Sequence, residues 1–96
     1  MMKTPFQLNI IYKIRRLREE NNMSQAEIAL MLALSPGAIG NIESPKYPQK
    51  YSLAQIEIIC KHFNVSIEKL FLSDEDFSSD KDIISLLISK IVEYEK

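Results

Sequence analysis

A serine set between two apolar residues is the strongest constraint on this chain. The order apolar–Ser–x–x–x–apolar occurs four times: Met23-Ser24…Ile28, Leu34-Ser35…Ile39, Tyr51-Ser52…Ile56 and Val65-Ser66…Leu70. A serine so placed accepts from the orphan backbone N–H groups of a helix start, while the apolar pair staples the entering chain. Ser24 has Glu27 three residues on, and Ser52 has Gln55, which completes two capping boxes. Ser35 is followed by Pro36, at the position where a helix tolerates proline best. Thr4-Pro5-x-Gln7 opens an earlier helix in the same way. The signals predict five helices, near 5–21, 24–32, 35–43, 52–63 and 66–72. No alternating apolar/polar run suggests a strand.

The apolar spacing agrees. Ile10, Ile14 and Leu17 line one face of the first helix, and Leu53, Ile56, Cys60 and Phe63 one face of the fourth. Asn21-Asn22 can end the first helix, because Asn tolerates the left-handed conformation. Residues 44–51 carry two prolines and read as an exposed loop. Residues 73–79 read as an acidic linker. A sixth helix is expected over about 80–95, starting from Ser79 or Asp80 with Asp82 in its first turn. The domain reading is therefore 5–72 for the body, 73–79 for the linker and 80–96 for the C-terminal helix.

Composition excludes several classes. A chain of 96 residues, 46% hydrophobic and 26% charged, suits one globular domain rather than a disordered tail. One cysteine and one histidine give no basis for a disulfide or a structural zinc site. No uncharged run reaches the ~20 apolar residues of a membrane span, and no signal-peptide core stands at the start. The expectation is a cytoplasmic protein with no membrane, cofactor or small-molecule ligand. No paired nucleophile and base and no glycine-rich phosphate loop suggests an enzyme. Net charge is −1, but it is unevenly spread. Residues 1–23 carry five basic and two acidic side chains, and residues 74–96 three basic and seven acidic. A mildly basic body joined to an acidic tail leaves nucleic acid open as a partner.

Helices two and three are separated only by Ala33 and Leu34 before the Ser35 cap, which forces a steep crossing. Ala29 is small enough for the close approach, and Ile28, Leu32, Leu34, Ile39 and Ile42 are the expected seam. Here the chain resembles the phage-repressor/Cro type (lambda-repressor-like, XRE-like) of helix-turn-helix DNA-binding domain. The likeness runs over roughly residues 8–72. It is carried by Ser-Gln-x-Glu-Ile-Ala at 24–29, Ile-x-x-Ile-Glu at 39–43 and Val-Ser-Ile-Glu-Lys-Leu-Phe at 65–71.

The resemblance implies an all-α fold of five helices plus the C-terminal amphipathic helix, with the third helix in the major groove of double-stranded DNA. It implies a phosphate contact at Gln25 and a structural pair of Arg18 with Glu43. It places Lys46 and Lys50 in a loop that touches the DNA backbone, where loop solubility is the competing reading. Ser35 at the cap and Ser44 at the end of helix three join the DNA-facing set. The matched reading positions are Pro36, Gly37, Ala38, Gly40 and Asn41, and they depart from the family's long polar side chains. Only Asn41 can make a bidentate base contact, most naturally to adenine. The chain's two glycines, Gly37 and Gly40, both lie in this one helix. Phosphate contacts and DNA shape are thus expected to supply much of the binding.

Bland roles are expected for the remaining marked residues: Tyr47 and Tyr51 as packing residues, Cys60 in the core and His62 on the surface. The sixth helix carries apolar residues round about half its circumference. That breadth predicts homodimerisation, against the alternative that the helix folds back on its own body. The function expected is a DNA-binding transcriptional regulator acting as a repressor. The alternative is a protein-interaction module or antitoxin-like adaptor that keeps the fold with little DNA readout.

Overall fold

The computed structural model describes residues 2–96 and is all-helical over them. The helices are α1 Pro5–Glu20, α2 Gln25–Met31, α3 Pro36–Glu43, α4 Leu53–Phe63, α5 Ile67–Phe71, α6 Asp74–Ser78 and α7 Ile83–Glu95. Each of the first five starts at its expected cap. Thr4, Ser24 and Ser52 form reciprocal capping boxes with Gln7, Glu27 and Gln55. Ser35 accepts from the Ala38 N–H, and Ser66 from the Lys69 N–H. Two asparagines end helices through left-handed backbone, Asn22 at φ 54° after α1 and Asn64 at φ 55° after α4.

Two expectations for the C-terminal third are corrected. The acidic stretch 73–79 is not a plain spacer. Ser73 and Asp76 form another capping box there, and one helical turn, α6, follows. Three acidic residues in its first turn suit the positive end of the helix dipole. The last helix begins later than expected, at Ile83, because the Asp82 carboxylate accepts from the Ile84 N–H and so serves as its cap.

One core joins α1, α2, α3, α4, α5 and α7. Ile10, Ile11 and Ile14 meet Ile28, Ile39, Ile56, Ile59 and Phe71 with no or almost no exposure. Cys60 is buried in that core, and burial pushes its thiol up from the ordinary cysteine value.

The C-terminal helix belongs to the same core. Tyr94 is fully buried, with its ring edge against Phe71, and Leu87 and Ile91 pack beside it. The Tyr94 hydroxyl donates to the Tyr51 carbonyl over 2.7 Å. The Gln7 side-chain amide donates to the Tyr94 carbonyl over 2.7 Å. The fold-back that the sequence offered as the alternative is therefore the arrangement of this helix's inner face.

Candidate nucleic-acid interface

The exposed surface of α3 is set by how α2 presents it. The turn between them buries Ile28, Ala29, Leu32, Ile39 and Ile42, with Leu34 half-buried. Ala29, 1% exposed, supplies the small side chain at the crossing. Ala33 holds φ at 57°, where a Cβ costs about 1–2 kcal/mol. The conformation is held by two bonds, Ala33 N–H to the Leu30 carbonyl and Leu34 N–H to the Ala29 carbonyl.

The C-terminal end of α3 is tied down from two sides. Glu43 is buried and accepts two bonds from Arg18, one from Nε and one from Nη2, each 2.9 Å. This fork geometry gives a charge-assisted pair, and it pushes the guanidinium further up from its already high value. Gln25 Nε2 donates to the same carboxylate at 2.9 Å, and Arg18 Nη1 donates to the Met23 carbonyl. One carboxylate thus joins α1, α2 and α3. The second tie is Lys3, which sequence reasoning missed. Its ammonium is buried and donates to the carbonyls of Asn41, Ile42 and Ser44. These carbonyls lie at the negative end of the α3 dipole, the favoured place for a cation. Burial lowers the Lys3 pKa from the ordinary lysine value.

The outer face is open. Ser35, Pro36 and Gly37 are exposed, and Ala38, Gly40, Asn41 and Ser44 are half-buried. A groove of about 540 Å³ runs along it, lined by the Ser35 cap, by Gly37, Ala38 and Asn41 of α3, and by Gln49, Lys50 and Gln55 from the following loop and α4. The structure thus brings five of the sequence-predicted residues together and adds two glutamines. In the sequence Gln55 stands out only as a capping residue. Its Oε1 does accept from the Ser52 N–H, while its side-chain nitrogen is not used in that box. Only the fold sets these amides across from α3.

Gln25, Pro36, Gly40, Ser44 and Lys46 are not among the residues that line the groove. Gln25 is exposed, but its amide nitrogen is engaged with Glu43. Its Oε1 lies 3.9 Å from where a Gly40 Cβ would stand. Ser44 Oγ accepts from the Lys46 N–H at 3.2 Å and orders the start of the loop. Lys46 is exposed, and the Lys50 ammonium lies 5.6 Å from the Tyr94 ring centroid. Tyr47 is 47% exposed, whereas Tyr51 is fully buried, and its hydroxyl is the one buried side-chain polar atom without a hydrogen bond among the described residues.

Neither glycine is required by the chain itself. Both have negative φ, a Cβ at Gly37 would meet nothing within 4 Å, and the contact at Gly40 is ordinary.

The basic charge of residues 1–23 is spent differently from the expectation. Lys3 caps α3, Lys13 donates to the Leu70 carbonyl at the end of α5, and Arg18 is paired with Glu43. Three of the five basic side chains thus serve the fold.

The helix-turn-helix domain family matches residues 11–76, more than two-thirds of the chain. This chain belongs to the helix-turn-helix family. The match takes in α2, the turn at Ala33 and α3, with α1 truncated at its start and α6 entered as far as Asp76. Neither the curated proteins nor the solved structures give a match to it. No helix of the described residues is long and apolar enough to cross a membrane. No group of three or more His, Cys, Asp or Glu among them is placed to hold a metal.

Proposed function

We propose that this helix-turn-helix protein is a transcriptional regulator of the phage-repressor type that binds double-stranded DNA with α3 in the major groove. It acts as a repressor by occupying its site, is cytoplasmic and non-enzymatic, and works as a homodimer. The observation that carries the reading is the outer face of α3. Gly37 faces open space with an ordinary helical backbone, so its lack of a side chain serves something outside the chain. A helix so bared lets the polypeptide approach a duplex closely. Asn41 and the glutamines across the groove then offer amide groups to base edges, and Lys46, with Lys50, stands at the phosphates. Gln25 and Ser35, at the starts of α2 and α3, present backbone N–H groups to phosphates, as helix starts favour.

Binding of the full chain to duplex genomic fragments, measured across a salt series, tests the reading. Affinity is expected to be high at low salt and to fall linearly on a log–log plot as salt rises. Absence of binding to any fragment at ~50 mM salt overturns it. That outcome would favour an interaction module, the reading supported by the inward use of Lys3, Lys13 and Arg18 and by the apolar outer face of α7.

A further inference from the structure

α7 has two apolar faces, and the core uses one. On the other, Ile84, Ile88 and Val92 are 67%, 57% and 51% exposed. They stand one helical turn apart in a single line. Glu95, exposed, continues that line at its C-terminal end, and Lys81, also exposed, stands just ahead of the Asp82 cap at the other. The line on the helix therefore reads Ile84, Ile88, Val92, Glu95. Its apolar part is symmetric about Ile88, with Glu95 at one end and Lys81 just ahead of the other.

We infer that this face pairs with the same face of a second copy of this chain, the two α7 helices running antiparallel across a two-fold axis at Ile88. The inference rests on the dimeric reading above and specifies its interface. A two-fold contact must be self-complementary, with each residue meeting its mirror partner. Antiparallel pairing sets Ile88 against Ile88 and Ile84 against Val92, and it brings each Lys81, just ahead of its helix start, to the partner helix's Glu95 end. The two helix dipoles then oppose each other favourably. Parallel pairing would instead set Lys81 against Lys81, Glu95 against Glu95 and the dipoles alongside. Ser85 and Ser89, next to the line, are small enough not to hold the helices apart. The inner face, with Tyr94 and Ile91, stays in the core throughout, so pairing needs no unfolding.

Sedimentation of the full chain over a concentration series tests this, with thermal melting as the control for folding. Reversible dimerisation is expected. Ile88→Asp puts two carboxylates on the axis and should weaken it by at least about tenfold. Its melting temperature should stay close to that of the parent, since Ile88 is an exposed side chain. Lys81→Glu and Glu95→Lys should each weaken the dimer, and the double variant should restore it, because only antiparallel pairing regains both ion pairs. Ile88→Cys should cross-link on oxidation. Ile84→Cys should not, since the helical rise puts its two copies about 12 Å apart. A dimer that survives Ile88→Asp, or no rescue by the double variant, overturns the proposed interface and leaves the dimeric reading standing elsewhere on the chain. A chain that stays monomeric at every concentration overturns both, while DNA binding is judged separately by the salt series.

Discussion

The Tyr94 hydroxyl donates to the backbone carbonyl of Tyr51, joining the last turn of α7 to the end of the loop that carries Lys46 and Lys50. The same tyrosine takes a hydrogen bond from Gln7 on its carbonyl and lies under the Lys50 ammonium. Burial keeps its phenol protonated well above the ordinary range. Tyr94→Phe retains the packing and strands the Tyr51 carbonyl. The expected loss is about 1 kcal/mol, or roughly 4–8 °C in melting temperature for a domain this size. An unchanged melt would show that the bond contributes nothing.

Lys3 supplies the carbonyl end of α3 with its only side-chain cation among the described residues. Lys3→Met keeps the apolar stem and removes the donors. The expected loss is about 1.5–3 kcal/mol, the range for bonds to a charged group. Denaturant unfolding measures it, and hydrogen exchange should report faster opening in the last turn of α3 than in α4. Equal effects in both helices would argue against a local cap.

Ala33 occupies left-handed backbone that glycine adopts without a Cβ penalty. Ala33→Gly is expected to stabilise the fold by about 1 kcal/mol, less some unfolded-state entropy. The DNA-binding surface should be unaffected. A lower melting temperature would mean that the methyl group packs more usefully than its half-turn position indicates.

Gly37 lies in helix with open space around it. Gly37→Ala should therefore raise stability by about 0.4–1 kcal/mol. On the proposed function it should at the same time weaken DNA binding by obstructing close approach. Thermal melting and a binding isotherm on the same sample separate the two effects, and a gain in stability with no change in affinity would remove the reason given for this glycine.

Asn41 and Lys46 are expected to differ in kind. Asn41→Ala should relax preference at one base pair, by about 1–3 kcal/mol. Lys46→Ala should weaken all sequences alike and reduce the salt slope by about one. A selected site whose base preference survives Asn41→Ala would identify a different reader, and Gln49 lines the same groove.

Local chemistry wrote much of this fold into the sequence. The caps at Thr4, Ser24, Ser35, Ser52 and Ser66 act over three residues, so a reader of the chain sees both partners at once. The turn at Ala33 and the stop at Asn22 are legible for the same reason. The helix-turn-helix class is carried by the likeness of residues 24–29, 39–43 and 65–71 to that family, with which the family match over 11–76 agrees. What the tertiary structure alone decided lies between residues far apart in the chain. Lys3 reaches carbonyls about forty positions away, Gln7 reaches Tyr94, and Gln49 with Gln55 faces α3 across a groove. A charge count over residues 1–23 cannot tell a lysine facing solvent from one capping a helix. The difference is set by where a folded core places orphan carbonyls and carboxylates, which no short window contains. The same holds for α7. Its apolar residues announce burial, but only packing shows that one face closes the core through Tyr94 while the other, centred on Ile88, remains uncovered.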